Sequence, residues 1–119
     1  MNNHVLRQRT KDFELRIIRL FSKLPRAAVA QTIGHQMLRS GTSVAANYRE
    51  ASRARSNNEL ISKLGIVEQE LDETALWLEL LVDAKVILEA KLADLRDECD
   101  QLLRMVVSAI RNTKILRKS

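Results

Sequence analysis

Arg39, Arg49 and Arg53 stand ten and four residues apart. On a continuous helix that spacing gathers three guanidinium groups on one face, about opposite Met37 and Val44. Arg16, Arg19 and Lys23, with Arg9, mark a second cationic stripe, and Arg104, Arg111 and Lys114, with Lys118, a third. Forked, permanently charged guanidinium groups suit phosphate oxygens, so these stripes are candidate contacts to an RNA or DNA backbone. The competing reading is a solvated helix surface. Only Phe13, Phe21, Tyr48 and Trp77 are aromatic. Base stacking therefore has little to work with, and any binding is expected to follow the backbone with weak sequence preference.

Catalytic and metal chemistry finds fewer footholds. Glu68, Glu70, Asp72 and Glu73 crowd one stretch, yet His4 and His35 are the only histidines and neither follows a Glu by three. The Glu-x-x-His pairs of a di-iron bundle are therefore missing, and no metal is expected. Cys99 falls within an apolar seam, where a small filler is expected, and has no His on its own segment to act as base. No Gly-rich phosphate loop occurs. The expected protein is not an enzyme and needs no cofactor.

The charges are segregated. Residues 1–63 carry twelve Lys/Arg against four Asp/Glu, residues 64–100 three against eleven, and residues 101–119 five against none, within a net charge of +5. One basic and one acidic region are thus expected on the folded object. A single Cys excludes an internal disulfide and fits a reducing compartment. No stretch approaches a membrane span and no apolar signal core follows Met1, so the expected location is the cytoplasm.

The elements that would position these residues are helices. With 119 residues, one Pro and three Gly, the chain suits one domain spanning 1–119 and is too poor in turn residues for a β fold. Phe13, Ile17, Leu20 and Leu24 step by four and three in a first helix starting near Leu6 or Thr10, which Pro25 ends. A second runs from about Arg26 to Ala54 with Ala30, Ile33, Met37, Val44, Tyr48 and Ala51 inward. Ser40-Gly41-Thr42-Ser43 is its weak point, but the apolar phase is kept across it, so a continuous helix is expected. Asn47 and Glu50 are expected at least half buried, as structural polar groups that set register. Ser56-Asn57-Asn58-Glu59 reads as a capping box opening a third helix, whose seam is Leu60, Leu64, Val67, Leu71, Thr74, Leu78 and Leu81. Gly65 beside that seam is expected to permit close helix approach. The fourth helix, about Leu88 to Leu116, carries Leu88, Leu92, Leu95, Cys99, Leu102, Val106 and Ala109, and residues 112–119 are expected to fray. Short connections make neighbouring helices antiparallel, giving an all-α, up-and-down antiparallel four-helix bundle.

On the third helix a second stripe, Ile66, Glu70, Glu73, Trp77, Leu80 and Ala84, lies well away from the seam. A helix apolar on two sides must bury both. Ile66, Trp77 and Leu80 are therefore the expected oligomer interface, with Glu70 and Glu73 pairing with basic residues of the neighbouring subunit. The alternative is a broad core in which Trp77 closes the edge of the bundle.

The stretch Gln36–Ala51, followed by Ser56–Leu64 and by Glu68, Glu70, Leu71, Glu73, Thr74 and Trp77–Leu81, resembles the four-helix bundle proteins encoded within intervening sequences of bacterial 23S ribosomal RNA genes. A related branch serves reverse transcriptases of diversity-generating retroelements as accessory proteins. Arg39, Ala46, Asn47, Glu50 and Ala51 match the family's pattern on the second helix. Ser40-Gly41 replace two alanines, Tyr48 an isoleucine and Arg49 an alanine. The resemblance covers roughly residues 10–110. It implies a four-helix protomer, assembly into a homopentamer, and a role beside RNA, DNA or a protein partner such as a reverse transcriptase. A scaffold that docks an acidic protein without nucleic acid is the alternative.

Overall fold

The computed structural model describes residues 3–118, and these form four helices: α1 (Asn3–Ser22), α2 (Ala28–Ser52), α3 (Asn57–Asp83) and α4 (Glu89–Lys118). Each helix packs against two others, α1 on α2, α2 on α3, α3 on α4 and α4 on α1. This closes an up-and-down bundle, a rod of 52 × 20 × 20 Å. The α1–α4 seam is the most thinly packed of the four.

The leucine ridges build the core as their spacing demands. Phe13, Ile17, Met37, Val44, Tyr48, Leu64, Val67, Leu71, Leu78, Leu81, Leu102 and Val106 are all fully buried. Both α1 and α4 extend further than the apolar runs indicated. Leu6 and Thr10 belong to the core, and the Thr10 hydroxyl donates to the Leu6 carbonyl at 2.8 Å, which hides its polarity inside the helix. Thr113 does the same with Ala109 at 2.7 Å, so α4 runs on through the turns expected to fray. Ser119 lies outside the described residues.

The weak point of α2 is a packing device. Ser40 is buried, its hydroxyl meets that of Thr74 at 2.8 Å, and the Thr74 hydroxyl donates to the Glu70 carbonyl at 2.7 Å. A polar pair of this kind fixes the register of α2 on α3. Gly41 lets α1 approach, since a Cβ there would stand 2.8 Å from Ile17 Cγ2. Gly65 has no such task. A Cβ at that position meets nothing within 4 Å, so the expectation of a close approach is overturned. The residue sits on the outer side of α3, about two-fifths of a turn from the seam. Gly65→Ala is accordingly expected to raise stability by about 0.5–1 kcal/mol, through lost freedom of the unfolded chain. Gly41→Ala should lower it, because the fully buried Ile17 has nowhere to move. Urea unfolding midpoints of the two variants would have opposite signs, and equal shifts would refute the distinction.

Ser56 caps α3 by accepting from the Glu59 N–H at 3.1 Å, and Glu59 accepts from the Arg55 N–H at 3.2 Å, one residue earlier than in the usual reciprocal box. At its other end α3 closes through Lys85, whose φ is 59°. The Val86 N–H reaches the Leu81 carbonyl at 3.0 Å and the Lys85 N–H reaches Val82 at 2.9 Å, a Schellman arrangement built on lysine rather than glycine. This tight turn delays α4 until Glu89. Leu88, expected to open the seam of α4, therefore precedes the helix and is 70% exposed.

Candidate nucleic-acid interface

Antiparallel packing sorts the cations by height along the rod. The C-termini of α2 and α4 and the N-terminus of α3 share one end, and Arg117 Nη1 donates to Asn58 Oδ1 at 3.2 Å across that end. Each helix C-terminus carries partial negative charge, which favours basic residues in its last turn. Arg49 of α2 and Arg53 at its C-cap lie there, as do Arg111 and Lys114 of α4, all exposed. Arg49 and Arg53 line one hollow of about 420 Å³ together with Arg55, Glu50, Glu59 and Lys63. Both carboxylates of the hollow have partners within it. Lys63 pairs with Glu50 at 3.3 Å, and Glu59 is held by the Arg55 backbone. Arg55 and Lys63 were not singled out by the helix-face spacing, because they flank the turn rather than share a stripe.

Other predicted contacts are placed elsewhere. Arg39 reaches across the α2–α3 seam, with Nη2 at 2.6 Å from Glu73 and Nη1 at 3.9 Å from Glu70. Glu70 also accepts from the Ser43 hydroxyl at 2.8 Å. Arg104 pairs with Asp100 at 3.0 Å, one turn away on a solvated surface. Arg16, Arg19 and Lys23 lie at the opposite end of the rod and share a groove with Lys91. The notable tie between α1 and α4 is Arg9, whose Nε donates to Glu98 at 3.1 Å and whose Nη2 also bonds Gln101 at 3.0 Å. The Glu98 carboxylate holds the Arg9 pKa above its ordinary value.

Glu70 and Glu73 thus serve the seam within one subunit, against the expectation that they pair with a neighbouring subunit. Trp77 is half buried and packs on the core edge. Its Nε1–H is buried with no acceptor among the described residues. Ile66 is 36% exposed and Leu80 half buried, and Leu76, absent from the predicted stripe, is 45% exposed. Leu76 points almost directly away from the Leu71–Leu78 seam, so its position could have been read from its offset of five from Leu71. Asn47 is half buried and donates from Nδ2 to the Ser43 carbonyl at 2.8 Å. Glu50, expected at least half buried, is exposed and holds Lys63 instead.

The one cysteine is sealed. Cys99 donates from Sγ to the Leu71 carbonyl at 3.4 Å, and burial, with Asp100, Asp72 and Glu98 nearby, pushes its thiol up to about 12. A thiol so protonated is a poor nucleophile. His35 is exposed on α2, its ring tilted by 54° against Phe21 with centroids 5.0 Å apart. Among the described residues no group of three or more His, Cys, Asp or Glu is placed to hold a metal ion, and no helix is long and apolar enough to cross a membrane.

Fold and surface together define a four-helix bundle with a basic end and no assembled catalytic constellation among the described residues. The family model described as 23S rRNA-intervening sequence protein matches residues 2–108, and the chain belongs to that family. It is similar to a solved protein of unknown function from the S23 ribosomal protein family of Bacteroides thetaiotaomicron. The TM-score is 0.86 and the identity 32%, over 93% of this chain and 99% of that one. No curated protein matches the sequence.

Proposed function

We propose that the protein is a non-enzymatic, homo-oligomeric binder of RNA or DNA backbone, acting in the cytoplasm, and that the basic end of the rod is its binding surface. The observation that carries this reading is the convergence of Arg49, Arg53, Arg55 and Lys63 on one hollow at the α2–α3 turn, beside the basic last turns of α4. Arg49 and Arg53 project from a rigid helix end, where guanidinium groups can span neighbouring phosphates. Arg39, Arg104 and, within the hollow, Lys63 already have carboxylate partners and contribute less than Arg49, Arg53 and Arg55. Repetition of the surface in an oligomer lets weak sites act together. The test is a salt titration with single-stranded RNA and duplex DNA of mixed sequence. Affinity falling steeply between 50 and 200 mM salt (roughly tenfold or more) supports the reading. A flat response, or no binding to either, rejects it.

Self-assembly is supported by the outer face of α3, and the pentamer is the state that the family resemblance implies. Leu76 and Leu80, one turn apart, leave apolar surface there next to Trp77 and its unpaired indole N–H, and Ile66 adds to it further along the helix. Leu76→Glu is expected to dissociate the assembly in sedimentation velocity while leaving helix content unchanged, because Leu76 takes no part in the core. An unaltered sedimentation coefficient would place the contact on another face.

A further inference from the structure

A groove of about 600 Å³ opens along the thin α1–α4 seam, at the end of the rod remote from the α2–α3 turn. Its floor is apolar: Leu20 from α1, Leu92 and Leu95 from α4, and Val86 and Ile87 from the connection. Leu88 stands on its edge and, at 70%, is the most exposed large hydrophobic side chain among the described residues. Arg16, Arg19, Lys23 and Lys91 complete the lining, which contains no carboxylate. None of these four cations forms an ion pair among the described residues, whereas Arg9, Arg39, Lys63 and Arg104 all do.

An apolar channel edged by unpaired positive charge specifies its occupant. A nucleic-acid backbone would meet the four cations but leave the aliphatic floor uncovered, since phosphates and sugars offer it no apolar ridge. A membrane surface needs a protruding apolar ridge, and this surface is concave. An amphipathic helix satisfies both properties at once, its apolar ridge filling the floor and its flanking acids meeting the cations. We propose that the α1–α4 groove docks a short amphipathic helix of a partner protein, with large aliphatic residues spaced i, i+4, i+7 and Asp or Glu beside them. The aliphatic ridge covers Leu20, Leu88 and Leu92. The carboxylates pair with Arg16, Arg19, Lys23 and Lys91. This site is independent of the basic end assigned to phosphate binding, since the two lie at opposite ends of the rod.

The test uses the full chain and a fluorescein-labelled helical peptide of about sixteen residues, with leucines at i, i+4 and i+7 and glutamates flanking them. Fluorescence anisotropy is expected to show saturable binding at micromolar protein. Leu88→Gln and Arg19→Glu should each weaken it about tenfold or more. Both side chains are exposed, so thermal melts should match the parent. A peptide with glutamine for leucine, and one with lysine for glutamate, should not bind. Retention of RNA affinity by Leu88→Gln keeps this site distinct from the phosphate surface. Four results would overturn the proposal: no saturation, full affinity in both variants, displacement of the peptide by an RNA oligonucleotide, or a changed sedimentation coefficient for Leu88→Gln, which would make a second copy the occupant.

Discussion

Replacing Arg49 and Arg53 together by glutamine is expected to lower affinity for a single-stranded RNA about 20-fold or more at 0.1 M salt. The magnitude follows from counterion release. Each phosphate contact on a single strand contributes about 0.7 to the slope of log affinity against log salt, so two lost contacts reduce the slope by about 1.4. Across the decade from 1 M to 0.1 M salt, that slope difference corresponds to the stated loss. The matched control is Arg39→Gln. Arg39 already spends its charge on Glu73 at 2.6 Å and Glu70 at 3.9 Å, so its removal should change affinity less than about twofold. Neither substitution touches the core, and stability should move within about 0.5 kcal/mol. Filter binding across a salt series separates the cases. Equal losses in the two proteins would mean that the pairing of Arg39 with Glu73 and Glu70 does not matter, and an unchanged slope in the double variant would remove the basic end from the binding surface.

The fold was legible because its signal is geometric. Leu64, Val67, Leu71, Thr74, Leu78 and Leu81 recur every three or four positions, and only a helix brings such a set to one side. All six are buried. Phase across Ser40-Gly41 was readable for the same reason. The purpose of Ser40 was not, since its partner Thr74 lies thirty-four residues away and the pairing exists only after α2 meets α3. Leu88 shows the limit from the other side. Its spacing continues the α4 ridge, but the Schellman turn at Lys85 consumes the residues that would have started the helix earlier. Gly65 likewise sits beside a seam by sequence and beside open space in the bundle.

The candidate surface was legible as residue types and not as a place. Arg39, Arg49 and Arg53 do share a helix face, yet which arginine is free depends on what the next helix sets opposite it. Acidic residues of α3 lie level with Arg39, and the turn lies level with Arg53. Similarly, Arg16, Arg19 and Lys23 look like one more phosphate stripe until the floor supplied by α4 and its preceding connection gives that end an apolar character. Antiparallel folding brings the C-terminal ends of α2 and α4 to one end of the rod, so cations distant in the chain become neighbours there.

The core also carries a latent sensitivity to alkali. Tyr48 is fully buried, and desolvation pushes its phenol from its ordinary value of 10.0 up to about 12, with the Arg7 charge opposing. Cys99 rises from 9.0 to about 12 by burial and by the carboxylates of Asp100, Asp72 and Glu98. For both groups the native state holds its proton more tightly than the unfolded chain. Their contribution is therefore complete below pH 9 and diminishes as pH climbs, first through the thiol and then, above pH 10, through the phenol as well. At a ceiling of about 1.4 kcal/mol per pH unit for each group, the loss by pH 11 is on the order of 4 kcal/mol. Urea unfolding at fixed protein concentration from pH 8 to 11 should show a decline beginning near pH 9 and steepening near pH 10. Cys99→Ala lowers stability throughout by opening a small void, but it should delay the onset of the decline to about pH 10, because only Tyr48 then titrates. Stability that stays level to pH 11, or a Cys99→Ala protein still declining from pH 9, would contradict the assignment of the alkaline loss to these two sealed protons.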